Sequence, residues 1–387
     1  MASLIKRVFP LPVLLLYPVA AVLCLPQAKA WAESRHALHA GYLMLVAFVF
    51  TCIIMPIAME AGLRFGIVDA PDEARKQHTG VTPLTGGLAI FIGFCATILL
   101  NFHFSLQMKA ILSSGALIFV TGLIDDRYGL SAKVRLAIQL VATAILIYFG
   151  VRVTFVPPEL GGVYVECVIT ALWIVGITNS MNFIDGMDGL AGGTGIIYAF
   201  FFAAVAGLTG QWYMLFLAAA IAGACAGFFP YNFRRTKPAL VFLGDSGATF
   251  VGFMFASFAI LGEWGDSIID ILVPVLIMSV LIFDMTLTTF VRITTGEVRT
   301  FGQWIHYTGR DHFHHRLMSL GVTEKQAAMI FFAVSICFGI ESLTLLFSNL
   351  SNSILILIHS VLLFILLGFI LVRRSAGKTE KAVRSCP

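Results

Sequence analysis

Charge is scarce in this sequence. Only 12% of its 387 residues are Asp, Glu, Lys or Arg and 59% are hydrophobic, where a soluble globular chain carries about 25% charge. That shortage excludes water as the main solvent of the folded protein. Seven cysteines (Cys24, Cys52, Cys95, Cys167, Cys225, Cys337, Cys386) lie mostly within apolar runs, and no two have metal-ligand or redox spacing. They read as small hydrophobes rather than as a thiol or zinc centre. There is no His-Glu-x-x-His, and Ser246 has glycine on one side only, so the sequence favours neither a zincin helix nor a hydrolase elbow. No repeat or low-complexity linker divides the chain.

What is present is a succession of apolar segments. A bilayer core takes about 20 mostly apolar residues per helix, and such segments occupy roughly 9–27, 41–61, 84–101, 110–124, 136–151, 166–181, 192–208, 212–230, 247–262, 270–291 and 326–372. The polar run 348–353 divides the last, giving an all-α polytopic membrane helix bundle of 11–12 spans. Residues 41–372 form the transmembrane domain, 1–40 an extra N-terminal helix or signal-like segment, and 373–387 a basic cytoplasmic tail. Lys6-Arg7, the apolar run and Ala28-Lys29-Ala30 also fit a cleavable signal. An uncleaved, tilted helix is the preferred expectation.

Orientation follows from the basic residues. Of the 25 Lys and Arg, only Lys29, Arg35, Lys109 and Arg152 fall on one side when connections alternate across the membrane. Basic residues mark the cytoplasmic side, so both termini and every motif below are expected there.

At the cytoplasmic end of one segment stand Asp125-Asp126, followed by Lys133 and Arg135. Adjacent carboxylates at a membrane boundary need a cation or hydrogen bonds; a divalent metal would serve, and so would the neighbouring Arg127 and Lys133. A second motif runs Asn179, Asn182, Asp185, Asp188 and Gly189 to Gly193. Its glycines expose amides at a helix start, suited to phosphate or polar base edges. In the third, Phe242-Leu243-Gly244-Asp245-Ser246-Gly247, Asp245 reads equally as a helix cap and as a metal ligand. The fourth packs His312, His314, His315, Arg310 and Arg316 into seven residues, a phosphate-binding rather than a zinc pattern. Lys76 and His78, ahead of Pro83 and Gly86-Gly87, could reach an anion or merely belong to a turn. A metal-carboxylate cluster beside basic groups on one face is what phosphoryl transfer requires. A transporter of anionic solutes is the rival, although its site would sit at mid-membrane.

The series Asp125-Asp126, Asn182-Phe183-Ile184-Asp185-Gly186-Met187-Asp188-Gly189-Leu190, Gly244-Asp245-Ser246-Gly247 and His312-Phe313-His314-His315-Arg316-Leu317 resembles the polyprenyl-phosphate N-acetylhexosamine-1-phosphate transferases, over roughly residues 41–372. The resemblance implies transfer of an N-acetylhexosamine 1-phosphate from a UDP-sugar to undecaprenyl phosphate, with release of UMP. It further implies Mg²⁺, with Mn²⁺ as a substitute, and a multi-pass protein of the bacterial inner membrane whose active site is cytoplasmic. No nucleic acid is implied, and a homodimer is compatible. Asp125, Asp126 and Asp245, with Asp185, would hold or orient metal and acceptor. Asn179, Asn182, Asp185 and Asp188 would face the nucleotide, Phe242 would stack on uracil, and Lys133, His312, His314, His315 and Arg316 would grip the diphosphate. The histidine pattern points to the branch that uses a UDP-N-acetylhexosamine, GlcNAc foremost, to initiate surface polysaccharides such as O antigen, rather than to the phospho-N-acetylmuramoyl-pentapeptide branch. Thr300 to Trp304 and Ala248 depart from the family pattern.

Overall fold

The computed structural model describes residues 11–69, 81–101, 105–234, 236–264, 271–306, 309 and 311–384. They are almost wholly helical and divide into two compact units, Met1–Glu263 and Trp264–Pro387. The first unit contains α1 (Leu11–Leu14), α2 (Leu16–Leu23), α3 (Pro26–Glu33), α4 (His36–Phe65), α5 (Gly86–Asn101), α6 (Leu106–Tyr128), α7 (Ala132–Tyr148), α8 (Gly162–Phe183), α9 (Leu190–Leu208), α10 (Trp212–Asn232) and α11 (Gly244–Leu261). Two-residue strands β1 (Val68–Asp69) and β2 (Thr82–Pro83) pair antiparallel between α4 and α5.

Among the described residues, eight helices are long and apolar enough to cross a membrane: α4, α6, α8, α9, α10, α11, Glu324–Leu345 and Leu350–Val372. The described part of every apolar segment of the sequence is largely helical, but four segments fall short of that standard. Residues 84–101 give the 16-residue α5, and 136–151 give the 17-residue α7 with two basic residues near its start. Residues 9–27 divide into α1 and α2, where Pro18 withholds the donor that would bond back to Leu14 across the break, and 270–291 divide where Met278 leaves helical dihedrals. Apolar runs record burial in lipid or protein alike, so they count helices better than they count spans.

The first unit is built around α11. It is the most buried of the membrane-length helices, with 78% of its apolar window inside the protein, and it packs against α5, α6 and α8. Phe250 fills that junction, meeting Phe91, Phe94 and Phe119 edge-on. On the other flank α4 packs against α5 and α10, and α9 packs against α10.

One end of this unit gathers the connections that carry the acidic motifs. Phe242 donates its amide to Pro83 and accepts from Gly86, while Leu243 accepts from Gly87, so the approach to α11 lies against the entry to α5. Asn232 at the end of α10 accepts from Gly189 and donates to the Val241 carbonyl, and Asp188 accepts from Ala239. At the opposite end, buried Glu166 accepts from Arg152 (3.2 Å) and from the Val156 amide, tying residues 152–156 to α8.

The second unit holds α12 (Leu272–Ile277), α13 (Ser279–Thr294), α14 (Phe301–His306), α15 (Phe313–Ser319), α16 (Glu324–Leu345) and α17 (Leu350–Arg384). Thr323 and Gln326 form a reciprocal capping box at the start of α16. Phe283, Phe338 and Phe364 stack between α13, α16 and α17.

Candidate active site

Asp125, Asp126 and Asp245 are each placed by a helix end. Asp125 and Asp126 close α6. The Asp125 Oδ1 accepts the Leu130 amide at 2.6 Å, and its Oδ2 accepts Arg135 Nη1 at 2.8 Å. Asp126 points to α11 instead, where its two oxygens accept the amides of Asp245 (2.7 Å) and Ser246 (3.1 Å). Asp126 is thus the N-terminal cap of α11, supplied by another helix, because Leu243 in the usual cap position has no side-chain bond to give. The cap reading that the sequence offered for Asp245 therefore belongs to Asp126.

Asp245 is left free to face the other acids. Its Oδ1 accepts Asn182 Nδ2 at 2.9 Å, and its Oδ2 accepts the same Arg135 Nη1 at 3.1 Å. Two glycines make this approach feasible. Gly244 sits at φ +77°, where a β-carbon would also meet the Leu84 carbonyl at 2.5 Å, and a β-carbon on Gly122 would lie 2.4 Å from Ser246 Cα. Asp125, Arg135 and Asp245 line a cleft of about 260 Å³, counted with its open mouth, together with Ile118, Thr121, Gly122, Gln139 and Thr249.

The remaining motif residues take different places. Asn179 exchanges hydrogen bonds with Gln139 (2.7 and 3.3 Å), so it supports the cleft wall. Asp188 is occupied by the Ala239 amide at 3.0 Å. Asp185 lies in the turn 184–189 between α8 and α9, and dense surroundings, then the charges of Asp245 and Asp126, raise its carboxyl well above the usual range. Phe242 is half-buried, and Lys133 is exposed at the head of α7. Lys76 and His78 lie outside the described residues. Arg135, which the sequence motif places beside Lys133 without distinguishing the two, is the cation that meets Asp125 and Asp245.

The histidine motif is organised within the second unit. Buried Asp284 accepts from the Phe313 amide at 2.5 Å and pairs with His312 Nδ1 at 2.8 Å, which fixes that ring and caps α15. Arg292 holds Asp311 with two bonds of 2.7 and 2.8 Å, and Arg316 Nε donates to the Asp311 carbonyl. Although burial opposes it, the Arg292 pair keeps the Asp311 carboxyl below its usual range. His314 is buried with neither ring nitrogen bonded among the described residues, and burial, then His315, pushes its pKa down to about 3. His315 is half-buried beside it.

Two carboxylates, Asp125 and Asp245, thus share one guanidinium, with Asp126 on the amides of Asp245 and Ser246 and Asp185 within range of the charges of Asp245 and Asp126. The donor set is all oxygen with an excess of negative charge, which suits a hard divalent cation such as Mg²⁺. Among the described residues no three His, Cys, Asp or Glu side chains already stand in a coordinating arrangement.

Membrane-length helices whose ends gather acids, amides and a cation around a cleft define a polytopic membrane protein with a polar site at a helix-end face. Comparison with known proteins narrows this class. The profile of glycosyl transferase family 4 matches residues 108–263. A Bacillus subtilis protein named probable undecaprenyl-phosphate N-acetylglucosaminyl 1-phosphate transferase is 34% identical over 310 residues, covering 78% of this chain and 83% of its own. A Mycolicibacterium smegmatis decaprenyl-phosphate N-acetylglucosaminephosphotransferase is 31% identical, covering 80% and 82%. A Salmonella typhi undecaprenyl-phosphate alpha-N-acetylglucosaminyl 1-phosphate transferase is 28% identical, covering 85% and 90%. The chain belongs to the polyprenyl-phosphate N-acetylhexosamine-1-phosphate transferases of glycosyl transferase family 4.

Proposed function

We propose that this protein transfers N-acetylglucosamine 1-phosphate from UDP-N-acetylglucosamine to undecaprenyl phosphate, releasing UMP, at the cytoplasmic face of the bacterial inner membrane, as the first lipid-linked step of a surface polysaccharide. The observation that carries the reading is the convergence of Asp125 Oδ2 and Asp245 Oδ2 on a single cation position at the mouth of a cleft. Asp125, Asp245 and Asp185 would hold Mg²⁺, which supplies the positive charge that lets an anionic acceptor approach an anionic diphosphate.

In the reaction an acceptor phosphate oxygen bonds to the sugar-linked phosphorus as the bond to UMP breaks. A phosphate monoester has its second pKa near 6, so the acceptor is largely dianionic at pH 7 and needs no strong base. Asp125 fits a positioning role, since both of its oxygens are already engaged, one by Leu130 and one by Arg135. Asn182 orients Asp245, and Asp126 holds the first turn of α11 in place. The histidine motif brings phosphate-binding chemistry of its own, with the His312 ring fixed by Asp284.

The test is direct: membranes containing the protein are incubated with undecaprenyl phosphate, Mg²⁺ and a panel of labelled UDP-sugars. Butanol-extractable label from UDP-N-acetylglucosamine, lost in Asp245→Asn and in EDTA, is expected. Label from another sugar alone would reassign the donor, and label that survives Asp245→Asn would remove this site from the chemistry.

A further inference from the structure

The two carboxylates that face the cleft are braced in the same way. Each has one oxygen held by a neutral donor, Asp125 by the Leu130 amide and Asp245 by the Asn182 side chain. The other oxygen of each is aimed at one nitrogen, Arg135 Nη1, at 2.8 and 3.1 Å. Such bracing fixes the oxygens independently of Arg135, so the point they share is a cation position built by α6, α8 and α11. Arg135 reaches that point from α7.

The reach is a controlled one. Gln139, one turn further along α7, is clamped to Asn179 of α8 by two amide hydrogen bonds, which sets the register of α7 against α8. Yet the Arg135 side chain is 38% exposed and touches both acids through a single nitrogen, leaving the rest of its five-donor fork uncommitted to either acid. Arg127, the other arginine nearby, turns away over the Tyr128 ring. A monovalent guanidinium at 2.8–3.1 Å neutralises one of the acids around it, whereas Mg²⁺ binds oxygens at about 2.1 Å with twice the charge.

We propose that Arg135 is a seat-holder: in the metal-free protein its guanidinium occupies the position that Asp125 and Asp245 offer to the divalent metal, and metal entry drives it toward the phosphates of the donor. This rests on the metal-dependent transfer proposed above. The exchange keeps the two acids from repelling one another when no metal is bound. It also makes the phosphate-gripping fork available only once the site is loaded, because guanidinium and metal compete for the same two oxygens. An arginine suits both tasks, since its planar fork binds a carboxylate or a phosphate equally well.

The competition has a signature that a structural role lacks. Removing Arg135 should tighten metal binding while it weakens transfer. Mn²⁺ is the probe, titrated onto the purified full-length protein without substrate and read as loss of the free-ion electron paramagnetic resonance signal. Arg135→Gln is expected to bind Mn²⁺ more tightly, by roughly tenfold, and to show a raised KM for the UDP-sugar with a lower kcat. Arg135→Lys, which keeps the charge but not the fork, is expected to bind Mn²⁺ as the native protein does and still show the raised KM. In the native protein, phenylglyoxal modification of Arg135, followed by mass spectrometry, is expected to accelerate when Mg²⁺ is added. Unchanged or weaker Mn²⁺ binding in Arg135→Gln, or unchanged or slower labelling with Mg²⁺, overturns the seat-holder while leaving the transferase reading intact. If the glutamine variant does not fold, the labelling result decides alone. Native protein that binds no divalent ion at all overturns both.

Discussion

At single residues the acids divide by whether their oxygens are free to turn. Asp126 spends both on the amides of Asp245 and Ser246, so Asp126→Asn keeps one acceptor and turns a second into a donor facing an amide. Loss of such a cap costs about 1 kcal/mol, and a lower melting temperature in detergent is expected alongside the fall in transfer; Asp245→Asn should lose transfer without that destabilisation. His314 gives a pH test with a definite sign. Its ring is buried and held neutral, with a pKa near 3 in the fold, against about 6.5 when unfolded. A depressed histidine pKa means the unfolded chain binds the proton more readily, so the stability tied to it is complete above pH 6.5 and is lost as pH falls toward 3. Between pH 7 and pH 5 the loss is roughly 2 kcal/mol. His314→Gln should melt with a shallower pH dependence over that range, and an identical slope would mean that the imidazole is not held neutral.

At the level of elements, sequence and structure part company over register. The acids stood out because charge is costly in so apolar a chain, and every one quoted from the sequence within residues 125–245 sits at a helix end or in the turn beside it. Arg135 did not stand out, since Lys133 and Arg135 are alike as charges two positions apart. What separates them is where α7 begins. Ser131 caps the helix, and Arg135 then shares a face with buried Gln139, Ala142 and Leu146, while Lys133 turns outward. The role of Asp126 as a cap for a helix more than a hundred residues later was equally hidden, because no local spacing encodes it. The close passage of α6 and α11 can be tested through glycine. Gly122→Ala would place a β-carbon 2.4 Å from Ser246 Cα, an overpacking that costs roughly 1–3 kcal/mol, and transfer should fall sharply. Gly176→Ala on α8 meets nothing within 4 Å and should be silent or slightly stabilising, by up to about 1 kcal/mol. Equal effects of the two would show that contact between α6 and α11 is not what places Asp245.

Across the whole molecule the scarcity of charge becomes a statement about sides. In the first unit the described basic residues Arg64, Arg127, Lys133, Arg135, Arg234 and Lys237 belong to the end that carries the acids, and Lys29, Arg35, Lys109 and Arg152 to the other. The hydrogen bonds among residues 83–87, 125–135, 182–189, 232 and 239–246 establish that these connections share one end, independently of any count of charges. Alternation of spans is therefore no longer an assumption for this unit; the step that remains is which end faces the cytoplasm, and the excess of basic residues at the acidic end supports the side proposed above. A membrane-impermeant maleimide resolves it. On intact cells Lys109→Cys, exposed next to the start of α6, should be labelled, and Lys237→Cys, exposed in the connection before α11, should be labelled only after lysis. The background from the exposed Cys24 and Cys337 is read on the unsubstituted protein. Labelling in the reverse order would place the acids outside the cell, away from any supply of nucleotide sugar, and would end the transferase reading even if Asp125 and Asp245 were shown to bind a metal.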